Sequence, residues 1–146
     1  GSHMMGETLP KESNQVSLDT EKTDEWGIPL LRIDVDYDDN DEKMIQDFYE
    51  QFSEMYSKAG FTNIVTNDNG RRPGNDIHEM GGVRMGKDPK TSLLNACNQM
   101  HECKNVFVTD GACMTSTSTQ NPSLTFMAIT ARAANYAIQQ LKKGTV

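Results

Sequence analysis

Two strongly periodic stretches are the firmest constraint on this chain: whatever it folds into must present two amphipathic helices far apart in sequence. From Asp41 to Ala59 the apolar residues Met44, Ile45, Phe48, Phe52, Met55, Tyr56 and Ala59 recur at spacings of three and four, the period of one helix face. Asn40 or Asp41 can cap this helix, acids fill its first turn, and Gly60 can end it. From Pro122 to Lys142 a second stripe runs through Leu124, Met127, Ala128, Ala131, Ala134, Ile138 and Leu141. Lys142 and Lys143 suit its negative end, and Gly144 stops it.

The rest reads as short strands and turns, so the fold class is α+β. Asn14–Leu18 and Leu30–Asp36 are predicted strands. The second alternates, with Leu31, Ile33, Val35 and Tyr37 on one face and Arg32, Asp34 and Asp36 on the other. Gly27 and Pro29 punctuate the loop between them. Phe61–Val65 is predicted as a strand, Asn67–Gly70 as a turn, and Asn105–Thr109 as a short buried strand. There is no internal repeat.

Composition excludes several functions. Fourteen Lys and Arg against 21 Asp and Glu leave a net charge of −7 over 146 residues, and the pI is about 4.9. An acidic chain without a basic stripe is a poor nucleic-acid binder, because phosphate neutralisation supplies most of that affinity. No apolar run approaches the roughly 18–20 residues of a membrane span. Three cysteines do not make a disulfide scaffold. Residues 1–5 read as a tag remnant, with Gly1-Ser2-His3-Met4 as its scar, and a soluble chain is expected.

Four clusters carry possible chemistry. The acidic run from Asp34 to Glu42 starts like a calcium loop but has Asp39 where the turn needs Gly and Ile45 where a bidentate Glu belongs; it reads as a strand edge and helix-capping acids. Cys97, His101, Cys103 and Cys113 contain no CxxC pair, so free buried thiols are expected rather than a metal site. The segment from Ile77 to Gly86 sets His78 beside Gly81, Gly82 and Gly86. A histidine titrating near neutrality beside closely approaching backbone suits general-base work. Finally, Asp110 to Thr125 runs from a strand through a hydroxyl-rich loop into a helix N-terminus, with Asn121 suited to cap and Pro122 to the first helical position. Such an end favours an anion or developing negative charge.

In this order, His78-Glu79-Met80-Gly81-Gly82-Val83-Arg84-Met85-Gly86, Lys104–Gly111 and Asn121-Pro122-Ser123-Leu124-Thr125 resemble the C-terminal segment of the glucose–methanol–choline (GMC) oxidoreductases, flavin enzymes that oxidise alcohols and sugars. Leu9-Pro10, Asn14–Leu18 and Asp24–Pro29 resemble the entry to that region. The resemblance implies that His78 is the base taking the hydroxyl proton as hydride passes to flavin N5. It implies that Asn121 hydrogen-bonds the substrate oxygen. It places Asp110 and Gly111 along the FAD phosphates and ribityl chain, and the backbone of Asn121, Pro122 and Ser123 at the flavin N1/O2 edge.

The family's Gly-rich dinucleotide fingerprint does not occur in these 146 residues. The expectation is therefore a C-terminal fragment whose FAD-binding partner portion lies elsewhere in the same polypeptide, and which alone binds FAD poorly and turns over nothing. Residues 6–100 are expected to belong to an antiparallel-sheet substrate domain, and 101–146 to return to the flavin domain as a strand and a helix. Uncovered edges and apolar faces predict a dimer or swapped assembly. The competing readings are a stand-alone binding module and a small Cys/His metal protein.

Overall fold

A computed structural model describes residues 1–146 except Asn69, Arg71 and Asp76. The chain divides into two compact units, Gly1–Asp76 and Ile77–Val146, and each is described by itself.

The first unit opens with an antiparallel ribbon of β1 (Gln15–Thr23) and β2 (Pro29–Asp34). The register pairs Gln15 with Asp34, Val16 with Ile33, Ser17 with Arg32 and Leu18 with Leu31, and is broken between Leu18 and Thr23. At the break the Asp19 carboxylate accepts the N–H groups of Glu21 and Lys22, which holds its pKa below the usual carboxylate value. In the hairpin loop Asp24 Oδ1 accepts from Trp26 and Ile28 N–H, both at 2.9 Å, and Gly27 supplies the positive φ of 81°. The ribbon's far end is tied by Asn14, whose side chain exchanges hydrogen bonds with the backbone of Asp36.

The helix α1 spans Asp39–Lys58. Its cap is Asp38, not Asn40 or Asp41. The Asp38 carboxylate accepts from Asn40 and Asp41 N–H, and the Asp41 carboxylate accepts from Asp38 N–H at 2.9 Å. This reciprocal box needs acids three apart, and it buries Asp41 beneath Lys11, 3.9 Å away. The acidic run is thus spent on capping and on the Arg32–Asp34 pair. Gly60, at φ 86°, follows the C-cap Ala59. Along α1, Phe48 packs at a tilt against Phe52, and Tyr56 meets Phe61 edge-on.

Two strand expectations fail. Phe61–Val65 is irregular: Asn63 takes φ 59° and the segment has no ladder partner. Asn105–Thr109 shrinks to a single bridge, Phe107 to Gln99, and is only partly buried, with Val106 exposed. Turns on either side leave it no partner long enough for a strand. The turn expected at Asn67–Gly70 falls partly outside the described residues; Asp68 Oδ1 accepts from Gly70 N–H at 2.8 Å.

The second unit is built of loops around Leu94, Cys113 and Ala133, its fully buried apolar residues. Isolated bridges link Met85 to Leu94 and Leu94 to Met100. A single 3-10 turn covers Gly111–Cys113, and α2 covers Ser123–Lys143. The face of α2 turned inward carries Phe126, Ile129, Ala133, Tyr136 and Ala137. The stripe expected from periodicity faces out instead: Leu124 is 78% exposed, Met127 69% and Leu141 66%. The helix has two apolar faces, and the one carrying Phe126 and Tyr136 is the one turned inward.

The capping box gives a pH-dependent prediction. Hydrogen bonds from Asn40 and Asp41 N–H, with the nearby Lys11 charge, lower the Asp38 pKa. A depressed native pKa stabilises above the unfolded value, and that stabilisation is lost as pH falls through the native one. Asp38→Ala should therefore lower the melting temperature of α1 at neutral pH, read by far-UV circular dichroism. The difference from wild type should narrow in strong acid; an equal difference at both pH values would contradict the assignment.

Candidate functional site

The two segments singled out in the sequence meet in the second unit. Backbone N–H groups of Gly81, Val83 and Met85 donate to the carbonyls of Gly111, Ala112 and Cys113 at 3.4, 2.9 and 3.0 Å. Alternate residues of the segment from Gly81 to Met85 thus address consecutive carbonyls of the 3-10 turn. Asp110 caps that turn, accepting from Ala112 N–H at 2.9 Å.

Gly111 has no room for a side chain. A Cβ there would lie 2.7 Å from Met80 Sδ, 3.1 Å from Glu79 O and 3.3 Å from Phe126 Cζ. The glycine therefore lets the His78 segment, the turn and α2 close on one point. Gly81, at φ 92° with Met114 O 3.6 Å from its would-be Cβ, turns the chain along that surface.

His78 is half-buried, and its Nδ1 is a buried ring nitrogen without a hydrogen-bond partner among the described residues. Buried polar atoms are normally paired, so an orphan calls for a donor or acceptor from elsewhere. Ile77 before it sits at φ 66°, an outlying conformation for a β-branched residue. Asn121 and Ser123 are exposed, and Pro122 half-buried. Asn121 does not cap α2. Pro122 is the N-cap, no side chain caps the helix, and Phe126 N–H donates to the Pro122 carbonyl at 3.0 Å. The first N–H groups of α2 are therefore left for another acceptor. Among the described residues no hydrogen bond joins His78 to Asn121.

An uncapped helix start suits an electron-rich ring edge, a carboxylate or a phosphate. The adjoining hydroxyl-rich loop and Asp110 suit a polyhydroxylated chain. The N–H and hydroxyl donors, with the Asp110 carboxylate as acceptor, fit part of a dinucleotide cofactor.

The metal reading finds no geometry here: among the described residues no group of three His, Cys, Asp or Glu is arranged to hold an ion. All three cysteines are free; Cys113 is buried, Cys97 half-buried and, against expectation, Cys103 exposed. Burial raises the Cys113 pKa. His101 Nε2 lies 3.2 Å from Ser92 Oγ and 3.3 Å from Gly86 O. Since Ser92 donates to Asp88 O, the histidine donates, and it braces a loop.

Sequence reasoning missed Asn98. It is fully buried, takes φ 63°, and accepts from Arg132 Nη2 at 2.8 Å. The single arginine of the alanine-rich helix α2 was the available signal.

Gly111→Ala should destabilise the second unit by about 1–3 kcal/mol, the usual range for overpacking. Gly82→Ala, with open space at its Cβ, should stay within about 0.5 kcal/mol. Urea titration of both variants checks this; equal effects would mean Gly111 is not closely packed.

A family model described as GMC oxidoreductase matches residues 10–130. The chain is 34% identical over 141 residues to a 2-methyl-1,2-propanediol dehydrogenase of Mycolicibacterium austroafricanum, covering 93% of this chain and 25% of that protein. It is 30% identical over 138 residues to a fructose dehydrogenase large subunit of Gluconobacter japonicus, covering 94% and 25%. It is 30% identical over 139 residues to a gluconate 2-dehydrogenase flavoprotein of Pantoea cypripedii, covering 90% and 22%. The chain thus spans about a quarter of the length of these relatives. It belongs to the GMC oxidoreductase family.

Proposed function

We propose that this chain supplies the base and one wall of the flavin site in an FAD-dependent oxidoreductase acting on the CH–OH group of alcohols or sugars. The observation that carries the reading is the hydrogen-bonded seam between the His78 segment and the Gly111–Cys113 turn, closed against α2 at Gly111. It brings together, in one unit, the segments that the family resemblance assigns to proton removal and to cofactor contact.

FAD, when bound, would supply the hydride acceptor. His78 would take the hydroxyl proton through one ring nitrogen while the other, the orphan Nδ1, is met by a group from the remainder of the polypeptide. That second contact would fix the tautomer, as a base must be oriented as well as basic. Asn121 would donate its amide N–H to the substrate oxygen. The uncapped start of α2 at Pro122 and Ser123 would favour negative charge at the flavin N1/O2 edge, and Asp110 and Gly111 would line the ribityl and phosphate path.

The relatives include proteins named for a diol, fructose and gluconate, which supports alcohol or sugar substrates as a class. The outward apolar face of α2 and the exposed pairs Val16–Ile33 and Leu18–Leu31 on the ribbon would be covered by the missing FAD-binding portion. Without it, a second copy would serve, as a dimer or swapped assembly.

In the complete flavoprotein, His78→Ala should slow substrate-driven flavin reduction by about 10²–10⁴-fold, the usual contribution of a general base, with little change in substrate affinity. Asn121→Ala should have a smaller effect. Anaerobic stopped-flow absorbance reads both, and unchanged reduction in His78→Ala would sink the assignment.

A further inference from the structure

Asn98 stands at a junction that no site assignment above uses. Its side chain is fully buried and every polar group on it is engaged. Oδ1 accepts from Arg132 Nη2 of α2 at 2.8 Å, and Nδ2 donates to the Val108 carbonyl at 2.9 Å. Its backbone carbonyl accepts from Val108 N–H at 3.0 Å, and its N–H donates to Asn95 O at 3.1 Å. The residue adopts φ 63°, a conformation that Asn tolerates and most residues do not.

Through Val108 and Arg132, Asn98 connects to the three pieces of the proposed site. Val108 leads directly into Asp110 and Gly111. Cys113 accepts Met85 N–H and so carries the segment that begins at His78. Arg132 belongs to α2, and its Nη2 also lies 3.7 Å from Met85 Sδ. A guanidinium that reaches into a buried amide has lost water on one side and makes a charge-assisted bond worth more than a neutral one. The amide, in turn, accepts from the arginine through its oxygen and donates to the Val108 carbonyl through its nitrogen.

We infer that Asn98 is a positioning residue: with Arg132, it sets the spacing between the turn at Gly111–Cys113, the His78 segment and α2. This rests on the functional reading above, because the spacing matters for catalysis only if those pieces face the flavin and substrate. Misplacement by about 1 Å in such a constellation can cost on the order of 10²-fold in rate.

The test separates geometry from chemistry. Asn98→Gly keeps the positive φ and removes the amide. Asn98→Asp keeps the φ tolerance and the acceptor for Arg132 while losing the donor to Val108. Arg132→Met removes the charge from an exposed helix position and leaves the Asn98 backbone untouched, so a variant that folds is in hand even if Asn98→Gly does not.

Amide hydrogen exchange on the 146-residue chain is the first readout. Asn98→Gly and Arg132→Met should accelerate exchange at Met85 and Val108 by about 10- to 100-fold, leaving the centre of α2 unchanged. Asn98→Asp should fall between them and wild type. The second readout is flavin reduction in the complete flavoprotein, which should slow by about tenfold or more with the substrate dissociation constant unchanged.

Unchanged exchange at Met85 and Val108, or a uniform acceleration across the unit, would overturn the positioning role. So would normal flavin reduction in all three variants while His78→Ala is slow; that result leaves the reading of His78 standing. If His78→Ala itself reduces flavin at the wild-type rate, both the reading and the inference fall.

Discussion

Three backbone hydrogen bonds, from Gly81, Val83 and Met85 to consecutive carbonyls of the Gly111–Cys113 turn, hold together segments some thirty residues apart. The second unit has almost no sheet and three fully buried apolar residues, so it cannot rely on a large core. Its order comes from polar ties: this seam, the Asn98 junction, and the amide network in which Asn95 pairs with Gln99 and Gln99 donates to Lys104 O. Buried polar networks of this kind specify one arrangement when every member is satisfied. The exception is His78 Nδ1, an open valence at the position that the family resemblance makes catalytic.

Local chemistry was readable where it depended on neighbours in sequence. Both helices, the hairpin loop at Asp24–Ile28 and the role of the acidic run as helix-capping material follow from periodicity and side-chain–backbone bonding. The identity of the cap was displaced to Asp38 because a reciprocal box outcompetes a single side chain. The strands at Phe61–Val65 and Asn105–Thr109 were overread because β-propensity records fitness for a pleated neighbour, and neither segment has one here. The inward face of α2 was misassigned for a related reason. Periodicity identifies the richer apolar face, but cannot say which parts of a polypeptide are at hand to cover it.

The site was legible as two clusters, not as a geometry. His78 with its glycines, and Asp110 to Ser123, stood out by composition and by family resemblance. That Gly111 is the contact point between them, pressed by Met80 and Phe126, depends on a long-range approach invisible to spacing. Asn98 and Arg132 were missed because a single Asn between Cys97 and Gln99 and a single Arg in a helix are common, and only their meeting at 2.8 Å gives them meaning. The uncovered apolar surface on α2 and on the ribbon agrees with a chain that spans about a quarter of the length of its relatives.

The central claim is that the His78 segment and the start of α2 contribute to one flavin and substrate site. A structure of the complete flavoprotein with FAD and a substrate analogue tests it most directly. The account predicts backbone N–H groups of Ser123 and Leu124 within about 3.5 Å of the flavin N1/O2 edge and a His78 ring nitrogen facing the analogue's hydroxyl. An isoalloxazine ring bound away from α2, or His78 turned from the substrate with Nδ1 still unpaired, would contradict it.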